Sequence, residues 1–220
     1  MSQRVVCIVQ ARVGSDRLPA KVLRNIGGKP MIAHVLERAV QINGVNRLVL
    51  ATSADRLDDA LVEVVAGLDV PMWRDVFRYS PEDDVLARFA RCALQYQADV
   101  VMRLTGDCPL LEPRVCEDVL MACLAGHEYA WNDTARSGYP DGLDCEAFTA
   151  RLLYYANETC RFDDPEREHV TPLVRQLAKP RLVQASPTRW RFAHIKASVD
   201  TEDDLARVRK IYAEGWESVL

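Results

Sequence analysis

Apolar runs and apolar stripes alternate along this chain, and the alternation predicts strands and helices in turn. Residues 4–9 carry Val5, Val6, Cys7, Ile8 and Val9 without a polar break, which reads as a strand buried on both faces. Met31, Ile32, Val35, Leu36, Ala39 and Val40 recur with helical spacing, and Pro30 opens that helix as its first residue. A second strand follows at 47–52. A helix at 56–67 turns Leu57, Leu61, Val64 and Val65 inward, and a short third strand is expected at 70–73. The stripe of Val85, Leu86, Phe89, Cys92, Ala93 and Tyr96 predicts a helix over 82–97, capped by Ser80 or Asp83. A buried strand at 99–104 and a helix at 114–124 behind Pro113 complete this part. Such alternation predicts an α/β fold, a three-layer α/β/α sandwich on a mainly parallel sheet with right-handed crossovers.

The pattern changes after about Ala125. Residues 128–132 read as a strand, 133–142 as a turn-rich loop, and 143–148 as a strand able to pair with the first. Helices are expected at 151–160 and 166–177, strands at 181–185 and 191–197, and a last helix from Thr201, whose first-turn acids Glu202, Asp203 and Asp204 suit its positive end. No linker divides the chain. The expectation is one domain over 1–220 with a small hairpin-and-helix insertion at about 128–180.

Composition narrows the function. The 220 residues are 49% hydrophobic and carry a formal net charge of −4, so no basic excess favours nucleic acid. The seven cysteines show no C-x-x-C, and the four histidines show no metal spacing. Free thiols in a reducing cytoplasm are the simplest account. With no signal peptide and no apolar run of membrane length, a cytoplasmic protein without a membrane partner is expected.

The chemistry gathers at loops after strands, where open parallel sheets bind ligands. The first strand runs into a loop with Gln10, Ala11, Arg12, Gly14, Ser15, Arg17 and Lys21. Its three cations repel one another unless an anion joins them, and backbone N–H groups beside Gly14 and Ser15 add donors. The loop points to a nucleoside triphosphate; a charged surface loop is the plain alternative. Neither the P-loop pattern nor G-x-G-x-x-G occurs, which disfavours P-loop ATPases and dinucleotide dehydrogenases. Asp107, in Thr105-Gly106-Asp107-Cys108-Pro109, ends a buried strand on a turn suited to a hard cation that keeps phosphate oxygens in its shell. Asp200, just before the last helix, is a second such carboxylate. Asp144 and Glu146 stand two apart on a predicted strand; as a structural hairpin this needs no function, and as a site it would aim both acids from one face at a polyhydroxylated ligand. His169 lies on a helix.

Taken in order, QARVGSDRLPAK (10–21), GGKPMIAHVLERA (27–39), PEDDVLARF (81–89), RLTGDCPLL (103–111), YPDGLDCEAF (139–148), EREHVTP (166–172) and VDTEDDL (199–205) resemble the cytidylyltransferases that activate sugars for bacterial surface polysaccharides. The spore-coat polysaccharide type is nearest, with the CMP-KDO and CMP-sialic acid synthetases as relatives. This resemblance implies a nucleotidyltransferase fold of the glycosyltransferase-A kind, CTP as donor, Mg²⁺ as cofactor, and transfer of CMP to a sugar acid or related acceptor with release of pyrophosphate. It implies that Arg12 and Lys21 hold the triphosphate and, with Asp107, serve catalysis. Gln10, Ala11, Gly14, Ser15 and Arg103 are then expected at the nucleotide, Asp107 and Asp200 at the metal, and Asp144, Glu146 and His169 at the acceptor. In the relatives the segment after residue 130 also builds a dimer interface, so a homodimer is expected. The chain departs from the KDO and sialic acid enzymes at Thr105, where they carry Gln, and at Glu82-Asp83-Asp84, where the KDO enzymes carry Thr-Asp-Arg. Another nucleoside triphosphate, a phosphate or phosphonate acceptor, and a glycosyltransferase consuming a nucleotide sugar stand as alternatives.

Overall fold

The apolar run of the first strand lies in the middle of a seven-stranded sheet. The structure is a computed structural model that describes residues 3–68, 74–79 and 81–220. Its strands are β1 (Val5–Gln10), β2 (Asn25–Ile26), β3 (Lys29–Pro30), β4 (Arg47–Ser53), β5 (Arg74–Tyr79), β6 (Val100–Thr105), β7 (Tyr129–Trp131), β8 (Glu146–Thr149) and β9 (Arg181–Leu182). Its helices are α1 (Met31–Ala39), α2 (Asp59–Gly67), α3 (Val85–Gln95), α4 (Pro113–Leu124), α5 (Thr134–Ser137), α6 (Ala150–Thr159), α7 (Glu166–His169), α8 (Thr171–Gln176), α9 (Pro187–Trp190) and α10 (Glu202–Glu214). The sheet runs β5-β4-β1-β6-β8-β7-β9, while β2 and β3 form a separate small hairpin. All neighbours in the large sheet pair in parallel except β8, which is antiparallel to both β6 and β7.

Period-two alternation along β1 feeds two cores. Val5, Cys7 and Val9 pack with α1, α2 and α4; Val6 and Ile8 pack with α3 and α6. The result is the expected α/β/α sandwich. A third apolar cluster joins Leu18, Ile26 and Met31 to Phe192, Ile195 and Val199, under Leu205, Val208 and Ile211 of α10. It anchors the loop after β1 against the C-terminal helix. No described helix is long and apolar enough to cross a membrane.

Several elements differ from expectation. Pro30 closes the β2–β3 hairpin and stands at the N-cap of α1, so the helix begins one residue later at Met31. The strand expected at 70–73 lies outside the described residues, and β5 follows it at Arg74–Tyr79. The cap of α3 is Asp84, which accepts from Ala87 N–H at 3.1 Å; Ser80 lies outside the described residues. The helix expected over 166–177 is two short helices, because Val170 takes φ 63° and Pro172 brings no N–H donor to the second. No strand forms at 191–197. There Phe192, Ile195 and Ala197 turn into the cluster under α10 instead of alternating across a sheet, and a single bridge from Lys196 to Asp141 remains. The strand expected at 143–148 shortens to β8, since Leu143 N–H bonds back to Pro140 and Cys145 N–H bonds to Asn132 Oδ1. Asp144 therefore precedes the strand, and it lines the same cavity as Glu146.

Candidate functional site

The loop after β1 is held at both ends and turned outward between them. Ala11 N–H donates to Ala51 C=O at 3.2 Å, and Leu18 and Val22, each 2% exposed, sink into the cores. The polar residues are left facing a cavity of about 660 Å³. Gln10, Ala11, Arg12, Gly14, Ser15, Lys21 and Arg103 all line it. At the end of the neighbouring β6, Gly106 N–H donates to Gln10 C=O at 2.8 Å. A Cβ on Gly106 would fall 2.6 Å from that of Ala11, so only glycine lets the two loops approach this closely.

Lys21 is the electrostatic centre. Its Nζ donates to Asp107 Oδ2 at 2.7 Å, to Asp200 Oδ1 at 3.0 Å and to Val199 C=O at 3.0 Å. Burial alone would lower its pKa, but Asp107 and then Asp200 overcome this and hold the ammonium above its ordinary value. Asp200 also takes Lys196 at 2.9 Å and Arg17 at 3.0 Å. Burial opposes its charge, yet the hydrogen bonds of Lys196 and Lys21 keep its carboxyl below the usual range. Arg12 spans Glu82 on one side and Glu168 on the other, each at 3.2 Å.

A second cavity of about 530 Å³ adjoins the first and shares Arg103, Thr105, Asp107, His169 and Asp200 with it. Asp144 and Glu146 line it, but both carboxylates are engaged in the wall. Glu146 accepts from Arg103 at 3.0 Å and from Tyr129 Oη at 2.6 Å. Asp144 accepts from Thr134 Oγ1 and Gly142 N–H, both at 2.8 Å, and burial raises its pKa. Arg175 lies 4.4 Å over the ring of Trp131 and has no carboxylate partner among the described residues. All seven cysteines are free; the thiol of Cys108, beside the site, is pushed up by burial and by Asp107, which disfavours it as a nucleophile.

Among the described residues no three His, Cys, Asp or Glu side chains are set to hold a metal. Asp107 and Asp200 nevertheless reach one cation between them, the Lys21 ammonium. Two carboxylates lining a cavity that also holds Arg12 and Lys21 fit Mg²⁺, which takes few protein ligands and shares the rest with phosphate oxygens and water.

Residues that the sequence did not single out surround the site. Arg88, 1% exposed on α3, donates to Glu82 C=O at 2.7 Å and lines the larger cavity. Its signal was a cation on the apolar stripe, three residues after Val85 and four before Cys92. Glu82 and Glu168 gave no signal beyond acids near helix starts.

A family model described as cytidylyltransferase matches residues 6–213. Spore coat polysaccharide biosynthesis protein SpsF from Bacillus subtilis (strain 168) is 30% identical over 97% of this chain and 88% of that protein. The 3-deoxy-manno-octulosonate cytidylyltransferase of Escherichia coli is 35% identical over 53% of this chain and 45% of its own length. Among solved structures, a cytidylyltransferase from Leptospira borgpetersenii superposes with a TM-score of 0.85 at 28% identity, covering 96% of this chain and 87% of that one. A CMP:2-keto-3-deoxy-manno-octonic acid synthetase complexed with CTP shares the fold, with a TM-score of 0.69 at 22% identity over 96% of this chain and 99% of its own.

Proposed function

The chain belongs to the cytidylyltransferase family, and on that premise we propose that it transfers CMP from CTP to a sugar acid or related acceptor, releasing pyrophosphate, in surface polysaccharide synthesis. One observation carries the reading: Lys21 from the first loop, Asp107 from the end of β6 and Asp200 before α10 converge within 3.0 Å on a cavity that Arg12 borders. The triphosphate lies along Arg12 and Lys21, which exchange their carboxylate partners for phosphate oxygens. Gln10, Ala11, Gly14, Ser15 and Arg103 line the nucleotide. The acceptor occupies the adjoining cavity beside Asp144, Glu146 and His169, where the free face of Arg175 suits a carboxylate.

The acceptor oxygen attacks the α-phosphorus in line. The new O–P bond forms as the bond to the bridging oxygen of pyrophosphate breaks, and the acceptor hydroxyl passes its proton to solvent water. Charge grows on the departing pyrophosphate, and Arg12 and Lys21 are placed to neutralise it. Bound by Asp107 and Asp200, Mg²⁺ would supply further positive charge to the phosphate oxygens. The rest of catalysis is positioning of the two substrates in adjoining cavities.

The test incubates the protein with each of four nucleoside triphosphates and a panel of sugar acids, reading pyrophosphate and product mass. Acceptor-dependent pyrophosphate from CTP, with a product heavier by one CMP unit, is expected. Use of another triphosphate, or cleavage of nucleotide sugars without one, overturns the reading. A homodimer built through the 128–180 segment accompanies the proposal. That segment exposes Phe162 at 77% and Tyr155 at 54%, and light scattering that returns a single-chain mass contradicts it.

A further inference from the structure

Asp58 is a carboxylate 2% exposed, in a position where its chemistry has an obvious local use that it does not take. It stands at the N-cap of α2, yet its side chain makes no capping hydrogen bond to that helix. It reaches the other way. Oδ1 accepts from the backbone N–H of Val13 at 2.7 Å, inside the cationic loop. Oδ2 accepts from Thr52 Oγ1 at 2.6 Å, Ser53 Oγ at 2.6 Å and Ser53 N–H at 3.0 Å, at the end of β4.

Val13 is also where the loop closes on itself, because its C=O accepts from Ala20 N–H at 3.2 Å. Arg12 and Lys21 are the residues immediately outside that closure. Fixing Val13 to the sheet therefore fixes the gap between the two cations. Buried Arg88 is tied to the same carboxylate electrostatically: burial lowers its pKa, and the charge of Asp58 is the largest influence opposing this.

We infer that Asp58 is a positioning residue for triphosphate binding, acting through Val13 to set the spacing of Arg12 and Lys21. The inference rests on the triphosphate reading of the loop given above. Asp58 touches no substrate. Its hydrogen bonds to β4 make the anchor rigid, and its bond to Val13 transmits that rigidity to the loop. A carboxylate suits this task because it accepts from four donors at once, whereas an amide would turn its NH₂ toward some of them.

The experiment measures binding of inorganic tripolyphosphate and of CTP to the full chain by titration calorimetry, with circular dichroism and melting curves as folding controls. Asp58→Asn is expected to weaken both probes by about tenfold, the scale of a lost charge-assisted hydrogen bond. Asp58→Ser is expected to weaken them equally, because serine is too short to reach Val13, and its melting curve checks that it is folded. Thr52→Val removes a different partner of Asp58, so it lowers the melting temperature while keeping both affinities within about twofold. Unchanged tripolyphosphate binding in a folded Asp58 variant overturns the inference, as does an equal loss in Thr52→Val, which would make the role structural. If the unmodified protein holds tripolyphosphate but prefers another base to cytosine, only the CTP reading fails, and the tripolyphosphate affinities still decide the role of Asp58. If it holds no triphosphate at all, both fall.

Discussion

Lys21 stands between two carboxylates, so its removal leaves Asp107 and Asp200 facing each other across the mouth of both cavities. Lys21→Met is expected to lower CTP turnover by about 10²–10³, the scale of a lost charge-stabilising donor. Lys21→Arg does not restore it, because a planar guanidinium cannot reproduce a compact ammonium bonded to three oxygens. Steady-state rates check both. Asp204, one helical turn on, gives a pH prediction. Burial raises its pKa, but Lys196 at 2.7 Å and Arg207 at 2.9 Å outweigh this and hold the carboxyl below its unfolded value of 3.8. A depressed folded pKa contributes stability in full above that unfolded value and loses it as pH falls toward the folded one. Melting curves of Asp204→Asn against the unmodified protein should therefore show a deficit at pH 7 that narrows below about pH 4. At this scale the sequence was legible where charges crowd one loop, as at Arg12, Arg17 and Lys21. It was silent where a partner comes from far along the chain. Nothing near Arg12 announces Glu168, and nothing near Val13 announces Asp58.

Gly142 joins two elements that the sequence does not relate. With φ at 98° it sits against the segment before Asp200, where a Cβ would lie 2.3 Å from Ser198 N and 2.4 Å from the carbonyl carbon of Ala197. Gly142→Ala must move backbone on one side or the other. It should cost about 1–3 kcal/mol of stability and reduce acceptor-dependent turnover more than CTP affinity, since the moved wall carries Asp144. Chemical denaturation and calorimetry separate the two effects. Elements with a full amphipathic period were readable. The stripe of α3 and the run of β1 each pack as their spacing requires. The errors came where local pattern met tertiary demand. Val170 takes a positive φ of 63° that splits one helix into two. The apolar residues at 192, 195 and 197 imitate a strand but serve the cluster under α10. The strand β5 was missed because polar Arg74, Asp75 and Arg78 interrupt its apolar positions, as befits a strand at the edge of the sheet.

At the scale of the molecule, parallel order in the sheet does the assembling. The loops after β1 and β6 emerge side by side because those strands pair in register, Gln10 opposite Thr105. The segment before α10 joins them through Val199, whose N–H donates to Asp107 C=O at 2.9 Å. Three stretches separated by roughly ninety residues each thus meet at one place, which an alternating α/β pattern predicts in outline. The acceptor wall was less legible, since it depends on the antiparallel β8 and on loops whose paths follow side-chain bonds such as Asn132 to Cys145. The most direct test is a crystal structure with CTP and Mn²⁺, the metal located by its anomalous signal. The account predicts the triphosphate along Arg12 and Lys21 and the metal between Asp107 and Asp200. A triphosphate bound outside the cavity these residues line, or a metal touching neither carboxylate, would contradict it.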